Sequence, residues 1–492
     1  MGEIIISKDR IILRKSQYFK VIFRVLIGLF VLKPFGAISQ SVIASSVEKQ
    51  IFDVVVAFDS CVIDDPISSP FSLSDEIYAL NRFTAITDIK TDAIVNRRAK
   101  VLSQNKIRIN GYFKSGIDEH WDASVEASYS TERIRYHYSL QSRYSFLSDT
   151  SFVYTYNKFD FPIRTRSSLS YFSYKLANDS YVGIGRFPMN WSFAGSKGLM
   201  LSDNVWPQDG FFLRHKTNGL KFEFFTGKIN DLKSRDIGAE TATEILAKRY
   251  ISMHRLKLTV IPQKFIVSLS EAIIYGGEDA HLLPRYLNPV NLYFISKQSD
   301  RWAESEKNAN PILGIDALYI FPSSRTKLYA QLVVDDIDFI PELTDVYPNR
   351  FAFSFMAIRS LENNAVLNLS YRNVSDWMYS SFYTWGNFAI HDDFLGNDKN
   401  GVSEIKLQFQ SYAHGGLFGT SVLYQNYKEQ NVLELFDFNS LVERVNSRLL
   451  TSVTFKSPLK NSNFWFESDL TYSYHNNEAH DIRLTAGIVT FF

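Results

Sequence analysis

The densest group of residues suited to ligand binding is a run of aromatic side chains in the second half of the chain. Six aromatic residues fall within the twelve positions 377–388, and four of them are candidate polysaccharide-binding residues: Trp377, Tyr379, Tyr383 and Trp385. Flat aromatic rings stack on the apolar C–H faces of sugars, and polar neighbours can hold the hydroxyls. The same run also suits the aromatic belt of a transmembrane barrel. The residues leave both interpretations open and favour the belt.

A second candidate set consists of polar side chains that alternate with apolar residues along several segments. Its members are Arg255, Lys257, Asp316, Gln331 and Asp335. If the apolar face of each segment meets lipid, these five side chains face the interior of a barrel. Charges of both signs inside a barrel can pair and block it, or they can line the path of a solute. Both outcomes remain open at this point.

Motifs for catalysis or metal binding are absent from the sequence. There is no Gly-x-Ser-x-Gly elbow, no His-Glu-x-x-His pair and no phosphate-binding Gly-Lys-Ser/Thr loop. Asp335 and Asp336 are adjacent, so in a strand they would point to opposite faces. The cluster His391-Asp392-Asp393 is most simply interpreted as solvated loop charge, and Cys61 is the only cysteine. We therefore predict a protein that is not an enzyme and needs no metal ion or cofactor.

Composition limits the partners of the chain. Its 53 basic and 52 acidic residues are nearly balanced, which gives no support to nucleic-acid binding. Aromatic residues make up 15% of the chain, with 40 Phe and 27 Tyr. Aromatic belts at the two membrane surfaces are one physical use of such an excess.

Strands with one apolar and one polar face dominate the chain from about residue 105. In one run, Leu328, Ala330, Leu332 and Val334 alternate with Lys327, Tyr329, Gln331 and Asp335. A period of two indicates a strand between two environments, and about ten residues cross a membrane when the strand is tilted. We predict an all-β, transmembrane antiparallel barrel of about 18 strands over residues 105–492, in contact with outer-membrane lipid. Arginine should then cost more at Leu332 than at Gln331.

The two ends of the chain predict an exported outer-membrane protein. Lys15, Lys20 and Arg24 precede the short apolar run 25–32, so residues 1–39 are predicted to be a cleaved signal peptide. Helical spacing in residues 40–104 predicts a small periplasmic helical segment. The alternating segment 481–492 ends in Phe492 and resembles the C-terminal signal of Gram-negative outer-membrane barrels.

Long connections alternate with short ones between the predicted strands. The long ones are predicted at 230–249, 296–311, 374–401 and 426–445. Outer-membrane barrels place short turns in the periplasm and long loops outside the cell.

Six segments resemble a known family, five of them between residues 249 and 336 and one earlier in the chain. They are Arg249-Tyr-Ile-Ser-Met-His-Arg-Leu256, Glu271-Ala-Ile-Ile-Tyr-Gly-Gly277, Arg285-Tyr-Leu-Asn-Pro-Val-Asn-Leu-Tyr293, Asn308-Ala-Asn-Pro-Ile-Leu-Gly-Ile-Asp316, Leu328-Tyr-Ala-Gln-Leu-Val-Val-Asp-Asp336 and Gly198-Leu-Met-Leu-Ser-Asp203. Their types and order resemble divergent members of the Wzi-type capsule assembly family. Two positions depart from the family pattern, at Pro311-Ile312 and at Ala330.

The resemblance implies a lectin-like function. It implies an outer-membrane barrel of about eighteen strands that holds capsular polysaccharide or exopolysaccharide at the cell surface. The alternative from a different class is a porin for oligosaccharides or other small solutes. An open, charged lumen would favour the porin, and a blocked lumen with polar and aromatic outer loops would favour the polysaccharide anchor.

Overall fold

Antiparallel strands make up almost all of the described structure. The computed structural model describes residues 107–116, 120–130, 133–145, 163–177, 180–187, 190–192, 198–202, 208–217, 219–235, 244–262, 264–299, 309–336, 349–361, 365–381, 383–390, 393–397, 400–413, 416–428, 445–458, 464–475 and 478–491. The predicted signal peptide, 1–39, and the predicted helical segment, 40–104, lie outside these residues.

The strands are numbered in chain order. They are β1 Ile107–Gly116, β2 His120–Ser130, β3 Ile134–Ser145, β4 Ile163–Ala177, β5 Ser180–Phe187, β6 Gln208–Thr217, β7 Leu220–Lys228, β8 Leu232–Arg235, β9 Glu244–Ile261, β10 Phe265–Gly277, β11 Asn310–Phe321, β12 Thr326–Asp336, β13 Arg350–Leu361, β14 Ala365–Val374, β15 Ala389–Ile390, β16 Asp393–Phe394, β17 Val402–Ala413, β18 Gly416–Lys428, β19 Val445–Pro458, β20 Phe464–His475 and β21 Glu478–Phe491.

Helical elements in the described residues are short. They are α1, Pro284–Leu287, α2, Tyr293–Ser299, and a single 3-10 turn, Thr384–Gly386. Within the described part of the chain, no helix has the length and apolar character needed to cross a membrane.

The long strands pair in the order in which they occur along the chain. Each pairs antiparallel with the next, β7 pairs with β9, and β1 also pairs with β21, where Tyr112 lies opposite Phe491. Among the described residues these pairings link eighteen strands in a ring. The predicted all-β antiparallel barrel of about 18 strands is thereby confirmed.

The strands expose apolar side chains on the outer face of the barrel and bury polar ones on the inner face, which is the reverse of a soluble protein. On β12, Leu332 is 41% exposed, whereas its neighbours Gln331 and Val333 are 3% and 0% exposed. The same alternation places exposed Leu269 beside buried Ser268 on β10, and exposed Ile315 beside buried Asp316 on β11. Apolar side chains outside and polar ones inside are the arrangement that lipid around a barrel requires.

The long connections lie at one end of the barrel, and the connections at the other end have two to five residues. Strands β9 and β10 are joined by three residues, and β11 and β12 by four, 322–325. The connections 278–309 and 375–401 are at the other end. Because neighbouring strands are antiparallel, β1 begins and β21 ends at the short-turn end.

One predicted loop is largely strand. Residues 230–249 contain β8 and the first part of β9, which pair through Leu232 and Ala247. Since β9 has 18 residues, it extends beyond the barrel wall as a hairpin with β8. The connections at 374–401 and 426–445 begin and end within three residues of their predicted limits.

Candidate functional site: a loop folded into the barrel

Two connections at the long-loop end turn back into the barrel. The first, here called the inner segment, lies between β5 and β6 and includes the described residues 190–192 and 198–202. The second, here called the inner loop, comprises residues 375–401 between β14 and β17. Their backbones meet, because Ser202 N donates to Leu395 O at 2.8 Å and the Tyr379 hydroxyl donates to Leu199 O at 2.5 Å.

Arg249, on the inner face of β9, binds the inner loop from a part of the wall five strands away from β14. Its Nε donates to Trp385 O at 2.8 Å, and its Nη2 donates to the carbonyls of Asn387 at 2.5 Å and Ala389 at 2.9 Å. Its Nη1 donates to Asn230 Oδ1 at 3.1 Å. The side chain is 1% exposed. A guanidinium with several rigid donors suits this task, since it satisfies three backbone acceptors of one turn at once.

Gln331 and Asp335, two of the predicted interior residues, bind backbone groups of the inward-folded connections. Gln331 Oε1 accepts from Leu199 N at 2.8 Å, and Gln331 Nε2 donates to Trp191 O at 3.1 Å. Asp335 Oδ2 accepts from Tyr379 N at 2.9 Å. Both side chains therefore act as clamps, one on the inner segment and one on the inner loop.

Tyr379 adopts a backbone conformation that is rare for its type. Its φ is 70°, in the left-handed region, where a bulky residue is an outlier. Asp335 binds its amide, Phe388 N donates to its carbonyl at 2.8 Å, and its hydroxyl binds Leu199 O. Such strain persists only where surrounding contacts determine the conformation, as they do here.

An apolar core fills the lumen between these connections and the wall. It combines inward side chains of many strands with side chains of both connections. Its members include Tyr171, Phe212, Phe225, Met253, Ile274, Ile312, Val333, Val374 and Tyr427 from the wall, and Leu199, Met200, Leu201, Met378, Tyr379, Phe388 and Leu395 from the connections. We call this cluster the lumen core. It spans the barrel from β4 to β18, so the connections are packed against the wall on several sides.

The four aromatic candidates divide into two pairs. Tyr379 and Trp385 are buried, whereas Trp377 and Tyr383 are partly exposed. Tyr383 stacks on Trp385 with ring centroids 4.8 Å apart and planes at 23°. Because buried rings have no free face, Trp377 and Tyr383 are the two of these four candidates whose rings a ligand can reach in this conformation.

The remaining predicted interior residues lie on β9 and β11, with Asp316 opposite Gln331 in the register. Arg255 Nη2 contacts both carboxylate oxygens of Asp316 at 2.8 Å, and Ser268 Oγ donates to Asp316 Oδ1 at 3.0 Å. Lys257 is partly exposed and lies within electrostatic reach of Glu223. The Arg255–Asp316 pair is buried, so its charges are compensated locally.

Two carboxylates inside the barrel bind protein groups in this structure. In the described ranges, no group of three or more His, Cys, Asp or Glu side chains is arranged to hold a metal ion. The buried carboxylates of Asp316 and Asp335 are engaged by Arg255 and by Tyr379 N.

Sequence reasoning did not single out Arg249 as a functional residue. The signal was present, because Arg249 shares its strand face with Ile251 and Met253, both buried. A buried charged side chain beside apolar inward neighbours needs partners, which the distant inner loop provides.

Comparison with known proteins supports the fold. No protein-family model and no curated protein matches the chain. Among solved structures it is similar to Wzi of Escherichia coli, an outer-membrane protein involved in group 1 capsule assembly and a carbohydrate-binding β-barrel. The TM-score is 0.58 at 13% identity, covering 92% of this chain and 99% of that one.

Two porin-like structures from Pseudomonas aeruginosa are also similar. OccK5 (OpdH) has a TM-score of 0.45 at 11% identity, covering 78% of this chain and 95% of that one. OprD has a TM-score of 0.46 at 10% identity, covering 78% and 93%. The likeness to Wzi shows that the chain has the fold of an outer-membrane β-barrel.

Proposed function

We propose that the protein lies in the outer membrane and holds a capsular polysaccharide or exopolysaccharide at the cell surface. It is a divergent member of the Wzi-type family in this proposal, and it binds its ligand at the long-loop end without chemical change. The main observation that supports this proposal is the lumen core. A diffusion channel needs a continuous water path, whereas this lumen contains apolar side chains packed between two connections.

Trp377 and Tyr383 support the choice of ligand. Both belong to the inner loop at the long-loop end and are partly exposed. The stacking of Tyr383 on Trp385, together with the bonds from Arg249, holds this surface in one conformation. A prearranged aromatic surface loses little entropy when it stacks on a sugar ring. The carbohydrate binding of the similar Wzi barrel points to the same class of ligand.

A porin is the second candidate, and charged interior residues favour it. Arg255, Lys257 and Asp316 lie on the inner faces of β9 and β11, and of these Lys257 is partly exposed and could meet a solute. Planar-bilayer recordings of the purified protein separate the two functions. We expect little conductance, and large, stable, ohmic channels would contradict the polysaccharide anchor in favour of the porin.

Polysaccharide binding is tested with the double substitution Trp377→Ala and Tyr383→Ala. Cells with this variant should retain less surface polysaccharide and release more into the medium. Stacking contributes on the order of 1 kcal/mol per ring, and a repeating polymer binds many copies, so the double variant is preferred to single ones.

The matched control is Tyr474→Ala, which removes an exposed ring from the outer face of β20 at the same end of the barrel. It should leave retention unchanged. Heat-modifiable migration on gels verifies that both variants assemble. If the assembled double variant keeps the full polysaccharide layer, the proposed binding surface is wrong.

A further inference from the structure

The connection between β10 and β11 covers part of the outer wall of the barrel. On the outward face of β10, Leu269 is 51% exposed, whereas Ile273, on the same face, is 0% exposed. The change occurs because residues 278–299, here called the outer strap, fold down over the upper part of the wall. Tyr286 and Tyr293 of the strap are fully buried in a cluster with Ile273 and Tyr275.

Aromatic contacts attach the outer strap to the wall. The rings of Tyr275 and Tyr286 have centroids 4.8 Å apart, and those of Tyr286 and Tyr293 are 5.8 Å apart, edge to face. Tyr250 of β9 stacks on Tyr275 at 5.6 Å. Four rings from two strands and the strap therefore form one packed unit on the outside of the barrel.

A polar contact lies at the lower edge of the strap. Glu271 of β10 accepts from Tyr293 N at 2.8 Å and from Phe294 N at 2.5 Å, and its Oε2 lies 3.3 Å from His254 Nε2. Burial, with the Glu271 carboxylate nearby, raises the pKa of Tyr293, so its phenol stays protonated. The strap thus shields a carboxylate and an imidazole that would otherwise face the membrane.

The free side of the outer strap is apolar. Its exposed large side chains are Leu282, Leu287, Val290, Leu292, Phe294 and Ile295, of which Val290 is 77% exposed. This surface continues that of the strands, because Glu271 lies opposite Leu313 in the register and Leu313 is exposed on β11. The apolar surface of the wall therefore adjoins that of the strap, which also exposes the polar side chains of His281 and Asn288.

We propose that the outer strap lies in the outer leaflet of the membrane and that its exposed apolar side chains contact lipid acyl chains. Its continuity with the apolar wall favours lipid over a second copy of the chain. The buried polar contact is consistent with this environment, since the strap screens it on the side where the wall meets lipid. The proposal depends on the outer-membrane location and is independent of polysaccharide binding.

Site-directed nitroxide labelling tests this proposal. Cys61 is the only cysteine, so a Cys61→Ser background accepts single labels at Leu292→Cys, Ile295→Cys or Val290→Cys. The labelled full-length protein is reconstituted in phospholipid vesicles. Relaxation by molecular oxygen, which concentrates in acyl chains, is then compared with relaxation by a water-soluble nickel chelate. We expect the strap labels to respond several-fold more to oxygen than to nickel.

Two control sites make the outcomes distinct. Leu269→Cys reports the acyl region from the strand wall, and Asp279→Cys reports water from an exposed polar position near the start of the strap. If the strap labels are as accessible to the nickel chelate as the label at Asp279→Cys, the proposal is overturned. Labels shielded from both reagents, with spectral broadening from a nearby second label, overturn it in favour of contact between copies. A Leu269 label in water would instead contradict the outer-membrane location itself. If Leu292→Cys or Ile295→Cys fails to assemble, the measurement is made with Val290→Cys, whose position is the most exposed of the three.

Discussion

Arg249 and Trp385 are 136 residues apart in the chain, yet Arg249 Nε donates a hydrogen bond of 2.8 Å to the Trp385 carbonyl inside the barrel. The bond joins β9 to a loop that begins five strands further around the wall. Because Arg249 also binds the carbonyls of Asn387 and Ala389, it fixes the position of a whole turn. Arg249 thus holds the inner loop through backbone carbonyls. Every residue has such a carbonyl, so the residue types of the loop do not indicate which ones Arg249 binds.

Replacing Arg249 with methionine should release the inner loop. The change leaves three buried carbonyls without these donors, and an unsatisfied buried group costs about 1–3 kcal/mol. We expect faster protease cleavage within residues 375–401 and greater conductance in planar bilayers. Arg249→Lys is the control, since one ammonium can restore a single bond and should give an intermediate effect. Cleavage and conductance like those of the unaltered protein would show that Arg249 does not hold the loop.

The sequence predicted which way each side chain of β12 points but not what it contacts. Alternation places Gln331 inward and Leu332 outward, as the structure does. The partners of Gln331 lie on residues 191 and 199, more than 130 positions earlier, where no local periodicity relates them to β12. The sequence therefore left open whether Gln331 binds other groups or lines a solute path, and in the structure it belongs to a packed clamp.

Arginine at Leu332 and at Gln331 should therefore destabilise the barrel for different reasons. Leu332→Arg places a charge on the lipid-facing wall, at a cost of about 2–4 kcal/mol near the midplane. Gln331→Arg removes the buried acceptor of Leu199 N, which should lower the free energy of unfolding by about 1–3 kcal/mol. The structure therefore predicts a larger effect at this position than the sequence alone does.

Urea titration of the two variants separates these effects. In lipid vesicles both variants should unfold at lower urea, whereas in detergent micelles, which adapt to a charge at their surface, Leu332→Arg should lose part of its effect. Gln331→Leu, which is apolar and similar in size, should destabilise the protein in both media. A Gln331→Arg protein as stable as the unaltered one would mean that the clamp contributes little.

The seam between β1 and β21 provides a test of the ring of pairings. Lys114 lies opposite Val489, which also faces Trp465 of β20. Val489→Pro removes a backbone donor between two paired strands and leaves its acceptor unsatisfied, which should cost about 1–3 kcal/mol. We expect a large decrease in the heat-modifiable species. Val489→Thr keeps the donor and strand propensity and should assemble normally. Normal assembly of the proline variant would argue against pairing on both sides of β21.

Glu271 shows a second limit of sequence reasoning. On β10 it shares a face with Leu269 and Ile273, which predicts a lipid-facing position that a carboxylate avoids. The outer strap resolves the conflict, because the amides of Tyr293 and Phe294 bind the carboxylate. The segments that resemble the Wzi-type family include Glu271, Tyr293, Gln331 and Asp335, so part of that pattern corresponds to anchors of connections.

Glu271→Leu should detach the outer strap while leaving the barrel assembled. Hydrogen bonds to a charged group contribute about 1.5–3 kcal/mol, and leucine replaces neither bond. We expect protease cleavage between residues 278 and 299 to accelerate. Glu271→Gln keeps one carbonyl acceptor and should give an intermediate rate. Equal cleavage rates for all three proteins would show that the strap is held by its tyrosines alone.

Tyr379 connects both inward-folded connections, and its hydroxyl and its backbone can be tested separately. Tyr379→Phe removes only the hydroxyl that binds Leu199 O, which should cost about 1–3 kcal/mol because the carbonyl stays buried. Tyr379→Gly relieves the left-handed conformation at φ 70° but also removes a fully buried ring, and loss of a large core side chain costs about 3–5 kcal/mol. The glycine variant should therefore be the less stable of the two in urea titrations, despite its favourable backbone. Its inner loop should also be cleaved faster by protease. If glycine instead stabilises the protein, backbone strain at Tyr379 outweighs packing of its ring, and the lumen core is looser than its contacts indicate.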